Sequence, residues 1–199
     1  MNQRYQNPPV LAVDMAADVR AYLELMRLKN VFLAAITVPL GAQFAIGDKW
    51  ISDYFVEVFL QIFAVIFFIG AGNTMNDIKD CEIDKTAHPN RPIPSNKVSI
   101  ENAKKFTWIL WFASFSCMGY GAFMLSQSGM SWLPLVIIYF TAVILMLSYD
   151  HGPKTKNSGL IGNISISLMV GAVILYGSSC VFAIESTLAW WTAGVVFFT

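Results

Sequence analysis

Long stretches without a charged side chain constrain the fold of this chain more than any other feature. The longest, residues 106–149, contains no Asp, Glu, Lys or Arg. A helix needs about 20 mostly apolar residues to cross the hydrocarbon core of a bilayer. Charged residues make up 13% of the 199 residues, against about 25% in typical soluble domains. The sequence therefore predicts lipid as the outer solvent, and its zero net charge gives no electrostatic argument for nucleic acid as a partner.

These stretches predict an all-α fold, a polytopic transmembrane helix bundle. We place five full spans and the start of a sixth, at residues 31–47, 55–75, 106–125, 132–148 and 160–184 and from about Leu188 onward. A segment of Ser, Gln and Gly at residues 126–131 is the expected turn between the third and fourth spans. The chain stops at Thr199 inside an apolar run, so we expect the C-terminal part of the bundle to be missing.

Two regions follow from this division, an N-terminal interfacial segment at residues 1–30 and a transmembrane domain at residues 31–199. Residues 14–30 are amphipathic and are predicted to lie on the membrane surface before the first span. Basic residues indicate the orientation, because they concentrate in cytoplasmic loops. Lys49 falls on one side of the predicted bundle, and the other twelve fall on the opposite side: Arg4, Arg20, Arg27, Lys29, Lys79, Lys85, Arg91, Lys97, Lys104, Lys105, Lys154 and Lys156. We therefore expect a multi-pass protein of the cell membrane, with the N-terminus and the loops after the second and fourth spans in the cytoplasm.

A row of carboxylates follows the second span, where it would reach the cytoplasmic interface. On a continuous helix, offsets of 0, 3, 4, 7 and 11 residues put five polar side chains on one face: Asn73, Asn76, Asp77, Asp80 and Asp84. Carboxylates on one face repel each other, and the C-terminal end of a helix disfavours them further. Mg²⁺ would relieve both penalties, because it binds oxygen ligands and commonly combines one or two carboxylates with substrate phosphates. The alternative is a solvated acidic helix end, paired with Lys79 and Lys85.

The next loop carries the opposite charge. Pro92 and Pro94 stiffen its backbone and so restrict the position of Arg91. The planar guanidinium of Arg91 suits bidentate contact with phosphate, whereas Lys97 would act as a point charge. The alternative is an ordinary proline-rich turn whose basic residues are attracted to anionic lipid.

Together these two segments resemble the first aspartate-rich motif of the UbiA superfamily of intramembrane prenyltransferases. The matching residues are Asn76-Asp77-x-x-Asp80-x-x-x-Asp84, followed by Asn90-Arg91-Pro92-Ile93-Pro94-Ser95. Arg27-x-x-Asn30 is similar to the beginning of the family's first helix, and the run from Tyr149 to Lys156 is similar to its tyrosine–lysine loop. Asn96 departs from the pattern, since a glycine is usual there, but asparagine also tolerates left-handed backbone. Within the superfamily, the sequences of these segments are most similar to those of the archaeal members that make ether lipids.

The resemblance implies a bundle of nine transmembrane helices, with a cavity on the cytoplasmic side that admits lipid tails. It implies that Asp77, Asp80 and Asp84, or a subset of them, are catalytic and hold Mg²⁺ on a prenyl diphosphate. It also implies a set of substrate-binding residues: Asn76, Arg91, Tyr149, Lys154 or Lys156, Arg27 and Asn30. The family's second aspartate-rich motif is expected beyond Thr199.

The favoured function is Mg²⁺-dependent transfer of a prenyl group, expected to be geranylgeranyl, from its diphosphate to a lipid hydroxyl such as that of geranylgeranylglyceryl phosphate. An aromatic acceptor of quinone, chlorophyll or haem biosynthesis is the near alternative, since both kinds of enzyme share the diphosphate half of the site. A non-catalytic membrane protein is a remote alternative. Small residues are expected at close contacts between helices: Gly70, Ala71, Gly72, Gly119, Gly121 and Gly171.

Overall fold

The computed structural model describes residues 15–150 and 159–198, and the regular structure in these ranges is entirely α-helical. The prediction of an all-α fold is therefore confirmed. The helices run as follows: α1 Met15–Met26, α2 Leu28–Ile46, α3 Lys49–Asp53, α4 Phe55–Lys79, α5 Cys81–Ala87, α6 Ile100–Gln127, α7 Leu133–Asp150, α8 Leu160–Ser179 and α9 Thr187–Phe198.

Four of these helices, α2, α4, α6 and α8, are long and apolar enough to cross a membrane. The helices α7 and α9 are apolar but shorter. The turn expected at residues 126–131 is confirmed, because α6 ends at Gln127 and Gly129 has a φ of 71°. The helix of the fifth predicted span ends at Ser179 rather than near residue 184, because the backbone turns there and Phe182 takes a φ of 58°.

The helices α2, α4, α6, α7 and α8 form a closed ring. Around the ring, α6 packs on α4, α4 on α2, α2 on α8, α8 on α7, and α7 on α6. The last described helix, α9, packs against α8 and, to a lesser extent, against α2. The ring of helices surrounds a common interior, and the candidate active site adjoins this interior.

The outer surface of the ring is apolar. Trp108 and Phe112 on α6 are 74% and 76% exposed, and Trp191 on α9 is 72% exposed. Scattered apolar residues are normal on a protein surface, but a contiguous apolar exterior marks contact with another apolar phase. This surface agrees with the lipid environment that the composition predicts.

Small residues allow the helices to approach closely, as the sequence predicts. A Cβ atom at Gly72 would lie 2.5 Å from the Met146 sulfur, and one at Gly171 would lie 2.9 Å from the Ala193 carbonyl oxygen. The prediction is wrong for Gly119, where an added Cβ would meet no atom within 4 Å. The tightest helix crossing was not predicted: it brings Gly41 of α2 against Gly177 of α8.

Candidate active site

The junction between α1 and α2 is fixed on α4, and this contact places Arg27. Arg27 separates the two helices because its backbone is left-handed, with a φ of 55° and a ψ of 63°. One turn apart on α4, the Asn73 amide donates to the Met26 carbonyl oxygen over 2.8 Å, and Asp77 accepts a hydrogen bond from Arg27 Nη2 over 2.5 Å. The change of direction between the helices therefore carries the guanidinium of Arg27 to the acidic face of α4.

Asp77 and Asp84 form a buried ion cluster with Arg27 and Arg91. The two carboxylate side chains are only 4% and 5% exposed. Arg91 Nη1 lies 2.6 Å from Asp84 Oδ2 and 3.6 Å from Asp77 Oδ1. A buried carboxylate is costly unless it is paired and hydrogen-bonded. The two arginines therefore neutralise the charges that the sequence places on this face.

The loop between α5 and α6 holds Arg91 in place. The carbonyl oxygen of Arg91 accepts hydrogen bonds from the Ser95 backbone N–H over 3.0 Å and from the Ser95 hydroxyl over 2.7 Å. Ile93 and Val98 are buried in an apolar cluster with Leu25 of α1. These contacts attach the loop to α1, and Ala103 of α6 belongs to the same cluster. The stiff loop inferred from the two prolines is therefore also anchored by packing.

The helix that carries the acidic residues is interrupted at Asp80. The predicted continuous face assumed one helix from Asn73 to Asp84, but α4 ends at Lys79 and α5 begins at Cys81. Asp80 occupies the junction with a φ of −88° and a ψ of 8°. Asp77 and Asp84 still lie near the same arginine on the two sides of this junction. Asp80 itself is half-buried at the junction.

Pairing with the neighbouring lysines, the alternative interpretation, does not describe Asp77 and Asp84. Lys85 instead bonds to Glu82 on the exposed side of α5, at 2.8 and 2.9 Å, and this contact raises the pKa of Lys85. The Lys79 amine is buried and makes no hydrogen bond within the described part of the chain. The partners of the buried aspartates are therefore arginines from distant segments.

The carboxylate oxygens of this cluster are chemically suitable ligands for a magnesium ion. Within the described residues, no group of three or more His, Cys, Asp or Glu side chains is arranged to hold a metal ion. The two shielded carboxylates of Asp77 and Asp84 nevertheless share one cationic partner, Arg91. Mg²⁺ needs only one or two protein carboxylates when phosphate oxygens and water supply the rest. The residues therefore fit an ion that is bound together with a phosphorylated ligand.

A cavity of about 730 Å³ opens beside the ion cluster, between α2, α4, α7 and α8. Its mouth is polar and is lined by Arg27, Asn30, Asn73, Asn76 and Tyr149. Its deeper part is lined mostly by apolar and aromatic side chains, such as Phe68, Ile138, Met146, Ile166, Met169 and Val173. The volume is within the range of about 300–1,000 Å³ that is usual for ligand sites. The shape and lining suit an amphiphile with an anionic head and an apolar tail.

The structure brings together most of the residues that the sequence predicts for the site. Arg27, Asn30, Asn76 and Tyr149 line the mouth of the cavity, and Arg91 lies on the adjoining ion cluster. Lys154 and Lys156 lie outside the described residues.

Sequence reasoning missed the residues at the deep end of the cavity. These include Gln61 and Tyr176, which are buried and joined by a hydrogen bond. A glutamine inside an apolar span is costly unless it has a partner. Gln61 could have been singled out on that ground, although the sequence does not identify its partner.

Comparisons with known proteins point to one family. The UbiA prenyltransferase family matches residues 33–199. Digeranylgeranylglyceryl phosphate synthase of Methanococcus aeolicus is 30% identical over 175 residues, which is 87% of this chain and 57% of the relative. The enzyme of the same name from Methanobrevibacter smithii is 34% identical over 155 residues, 78% of this chain and 50% of the relative. The chain thus spans about half the length of these relatives.

A solved structure is similar in fold as well as in sequence. It comes from a structural and mechanistic study of the biosynthesis of digeranylgeranylglyceryl phosphate synthase in membranes. It superposes with a TM-score of 0.73 and 27% identity, over 90% of this chain and 57% of that one.

Proposed function

This chain belongs to the UbiA prenyltransferase family, and from that premise we propose that it binds a prenyl diphosphate and takes part in transferring the prenyl group to a lipid hydroxyl. The expected donor is geranylgeranyl diphosphate, and the expected acceptor is geranylgeranylglyceryl phosphate. Two relatives named digeranylgeranylglyceryl phosphate synthase support this choice over an aromatic acceptor. The product would be an ether lipid of the membrane in which the chain lies.

One observation carries the proposal: two buried carboxylates and two partly exposed arginines form a cluster at the polar mouth of an otherwise apolar cavity. A diphosphate head needs cationic donors, and an isoprenoid tail needs a dry apolar channel. The cavity joins the two environments directly, because Arg27 belongs both to the ion cluster and to the cavity wall.

The arginines can bind the diphosphate without leaving the carboxylates. A guanidinium has five N–H donors in a fixed fork. Arg91 donates to Asp84 and Arg27 to Asp77, so each retains donors for phosphate oxygens. As the allylic C–O bond breaks, its electron pair stays on the diphosphate oxygen. Fixed donors aimed at that developing charge stabilise it because they are already oriented.

The aspartates would hold the metal that family members use. Asp77 and Asp84, with Asp80 at the helix junction and Asn76 beside them, are the residues that would hold Mg²⁺. Bound there, the ion would neutralise charge on the departing diphosphate.

The cavity wall has a separate task, which is to keep water from the allylic cation until the acceptor oxygen attacks. That attack forms the new ether C–O bond, and the hydroxyl proton is released.

Binding of geranylgeranyl diphosphate to the chain in lipid nanodiscs tests the proposal. We expect Mg²⁺-dependent binding that Asp84→Asn weakens by about tenfold or more, because a charge-assisted interaction contributes about 1.5–3 kcal/mol. Isothermal titration with and without Mg²⁺ measures the effect. Glu82→Gln is the matched control, since Glu82 lies on the same helix but is exposed and paired with Lys85. Metal-independent binding, or equal loss in both variants, would reject the proposal.

A further inference from the structure

Four polar side chains form a buried network at the far end of the cavity from the ion cluster. Gln61 of α4 and Ser114 of α6 are fully buried, and Tyr139 of α7 and Tyr176 of α8 are 4% and 3% exposed. Tyr139 and Tyr176 line the cavity, and their ring centroids are 6.3 Å apart. The binding of a diphosphate head gives no reason for polar groups at this depth.

The direction of each hydrogen bond in the network follows from the donors available. The Ser114 hydroxyl donates to the Ala64 carbonyl oxygen over 2.7 Å, so the Tyr139 hydroxyl must donate to the Ser114 oxygen, also over 2.7 Å. Tyr176 donates to Gln61 Oε1 over 2.5 Å. Both tyrosine protons are therefore used within the protein.

The amide of Gln61 completes the network on the side of α6. Its Nε2 atom donates to the Cys117 carbonyl oxygen over 3.3 Å. A Cβ at Gly121 would lie 1.8 Å from that same nitrogen, so glycine is required there to admit the amide. The network thus joins α4 and α6 to the two tyrosines.

These bonds hold the two rings in fixed positions. A buried polar group that loses its partner is destabilising, so neither ring can swing aside without breaking a bond that water cannot replace. Tyr139 is also packed edge-on against Phe68 and Phe115, with centroids 5.6 and 5.3 Å apart. Two rigid aromatic rings therefore line the cavity at the end away from the ion cluster.

The depth of the cavity is set by the same helices. Ten residues of α7 separate Tyr149 at the mouth from Tyr139 at the far end, which corresponds to about 15 Å along the helix. Ile166 and Tyr176 are separated by the same number of residues on α8, and both line the cavity.

We propose that Tyr139 and Tyr176 form a floor that limits the length of the prenyl tail this site accepts. This inference rests on the proposed function and adds specificity-determining residues to it. A tail that enters from the ion cluster extends along α7 and α8 until it meets the rings. A longer tail finds no further space, because hydrogen bonds to Ser114 and Gln61 hold the rings in place.

Affinities of diphosphates that differ by one isoprene unit test the floor. Geranyl, farnesyl, geranylgeranyl and geranylfarnesyl diphosphate are titrated with Mg²⁺ into the wild-type chain and its variants in nanodiscs. In wild type, affinity rises up to geranylgeranyl and falls for geranylfarnesyl. Tyr139→Ala raises the affinity for geranylfarnesyl relative to geranylgeranyl by about tenfold or more, the scale on which apolar sites discriminate a missing or added methylene. Tyr139 is the better site for truncation, because Ser114 keeps its bond to Ala64.

Two matched variants distinguish removal of the floor from a general loosening of the helix packing. Tyr139→Phe removes the hydrogen bond to Ser114 but keeps the ring and its packing against Phe68 and Phe115, so it is expected to shift the preference much less than Tyr139→Ala. Leu135→Ala removes a residue that is 1% exposed and lies one turn behind Tyr139 on α7. Space opened there stays closed off by the ring, so the preference is again unchanged. A shift in Leu135→Ala equal to that in Tyr139→Ala would overturn the proposal.

The wild-type series also tests the floor if Tyr139→Ala does not fold. Affinity that keeps rising through geranylfarnesyl in wild type would mean that the tail leaves between helices into lipid. That result refutes the floor and leaves the proposed function intact. If none of the four diphosphates binds to wild type, the proposed function fails and the floor fails with it.

Discussion

The two buried carboxylates of the candidate site each have a partner that comes from another segment. Asp77 of α4 is bonded to Arg27 at the α1–α2 junction, and Asp84 of α5 to Arg91 in the following loop. An uncompensated buried charge costs several kcal/mol. These ion pairs therefore stabilise the folded site, in addition to their proposed role in binding the ligand. A diphosphate and its metal would therefore enter a site that is already neutral and ordered.

A prediction at the residue scale concerns Asn96, the residue that stands where the family pattern has glycine. Its φ is 59°, so the left-handed backbone allowed for it is confirmed. Asn96→Gly should leave the thermal midpoint in detergent nearly unchanged. Asn96→Val should lower the free energy of unfolding by about 1–2 kcal/mol, because a branched side chain is disfavoured at positive φ. Asn90→Val is the control: Asn90 is an exposed asparagine of the same loop whose φ is not positive. Equal losses in the two valine variants would contradict the argument.

Helix interruptions position the site at the element scale. The chain breaks its helices at Arg27 and at Asp80, and both breaks adjoin the ion cluster. The serine N-cap of α6 then starts a new helix, because the Ser99 hydroxyl accepts from the Asn102 backbone N–H. Ends of α1, α2, α4 and α5 therefore lie beside the ion cluster.

The glycine crossing of α2 and α8 gives a prediction at this scale. A Cβ at Gly41 would lie 2.1 Å from the Ile174 carbonyl oxygen, which belongs to a helix backbone and cannot move aside cheaply. Gly41→Ala should therefore destabilise the protein by about 1–3 kcal/mol, as overpacking does. Gly119→Ala provides the comparison, since open space surrounds that position. There, the better helix propensity of alanine should leave stability equal or slightly higher. Thermal midpoints of the two variants in the same detergent measure the difference. A similar fall of the midpoint in both would contradict the close helix crossing.

At the scale of the whole molecule, a ring of helices encloses a cavity whose polar mouth lies at the end where the acidic residues cluster. The described basic residues concentrate in the N-terminal segment and the α4–α6 connection, whereas Lys49 lies in α3 between α2 and α4. From this distribution we propose that the mouth of the cavity faces the cytoplasm, because basic residues concentrate in cytoplasmic loops.

Cysteine labelling tests that orientation in a background where the three native cysteines are replaced by alanine. Lys49→Cys should react with a membrane-impermeant maleimide in intact cells. Lys105→Cys should react only after permeabilisation. Both lysines are exposed, so accessibility in the folded chain does not distinguish them. The reverse pattern would place the cavity mouth on the outer side.

The sequence by itself determined the class of fold, the approximate positions of the helices and the place of the acidic motif. These features are local: an apolar run and the spacing of Asp77 and Asp84 act within a few turns of one chain segment. The turn at Gly129 and the backbone of Asn96 were predicted for the same reason.

Tertiary structure alone decided which charges neutralise each other, where the helices cross and where the cavity ends. The contact of Arg27 with Asp77 spans 50 positions in sequence, and that of Gln61 with Tyr176 spans 115. Hydropathy and helical spacing carry no information about such pairs, because burial selects the partner only after the helices have packed. The floor of the cavity depends on four residues from four helices, and it exists only once those helices have come together.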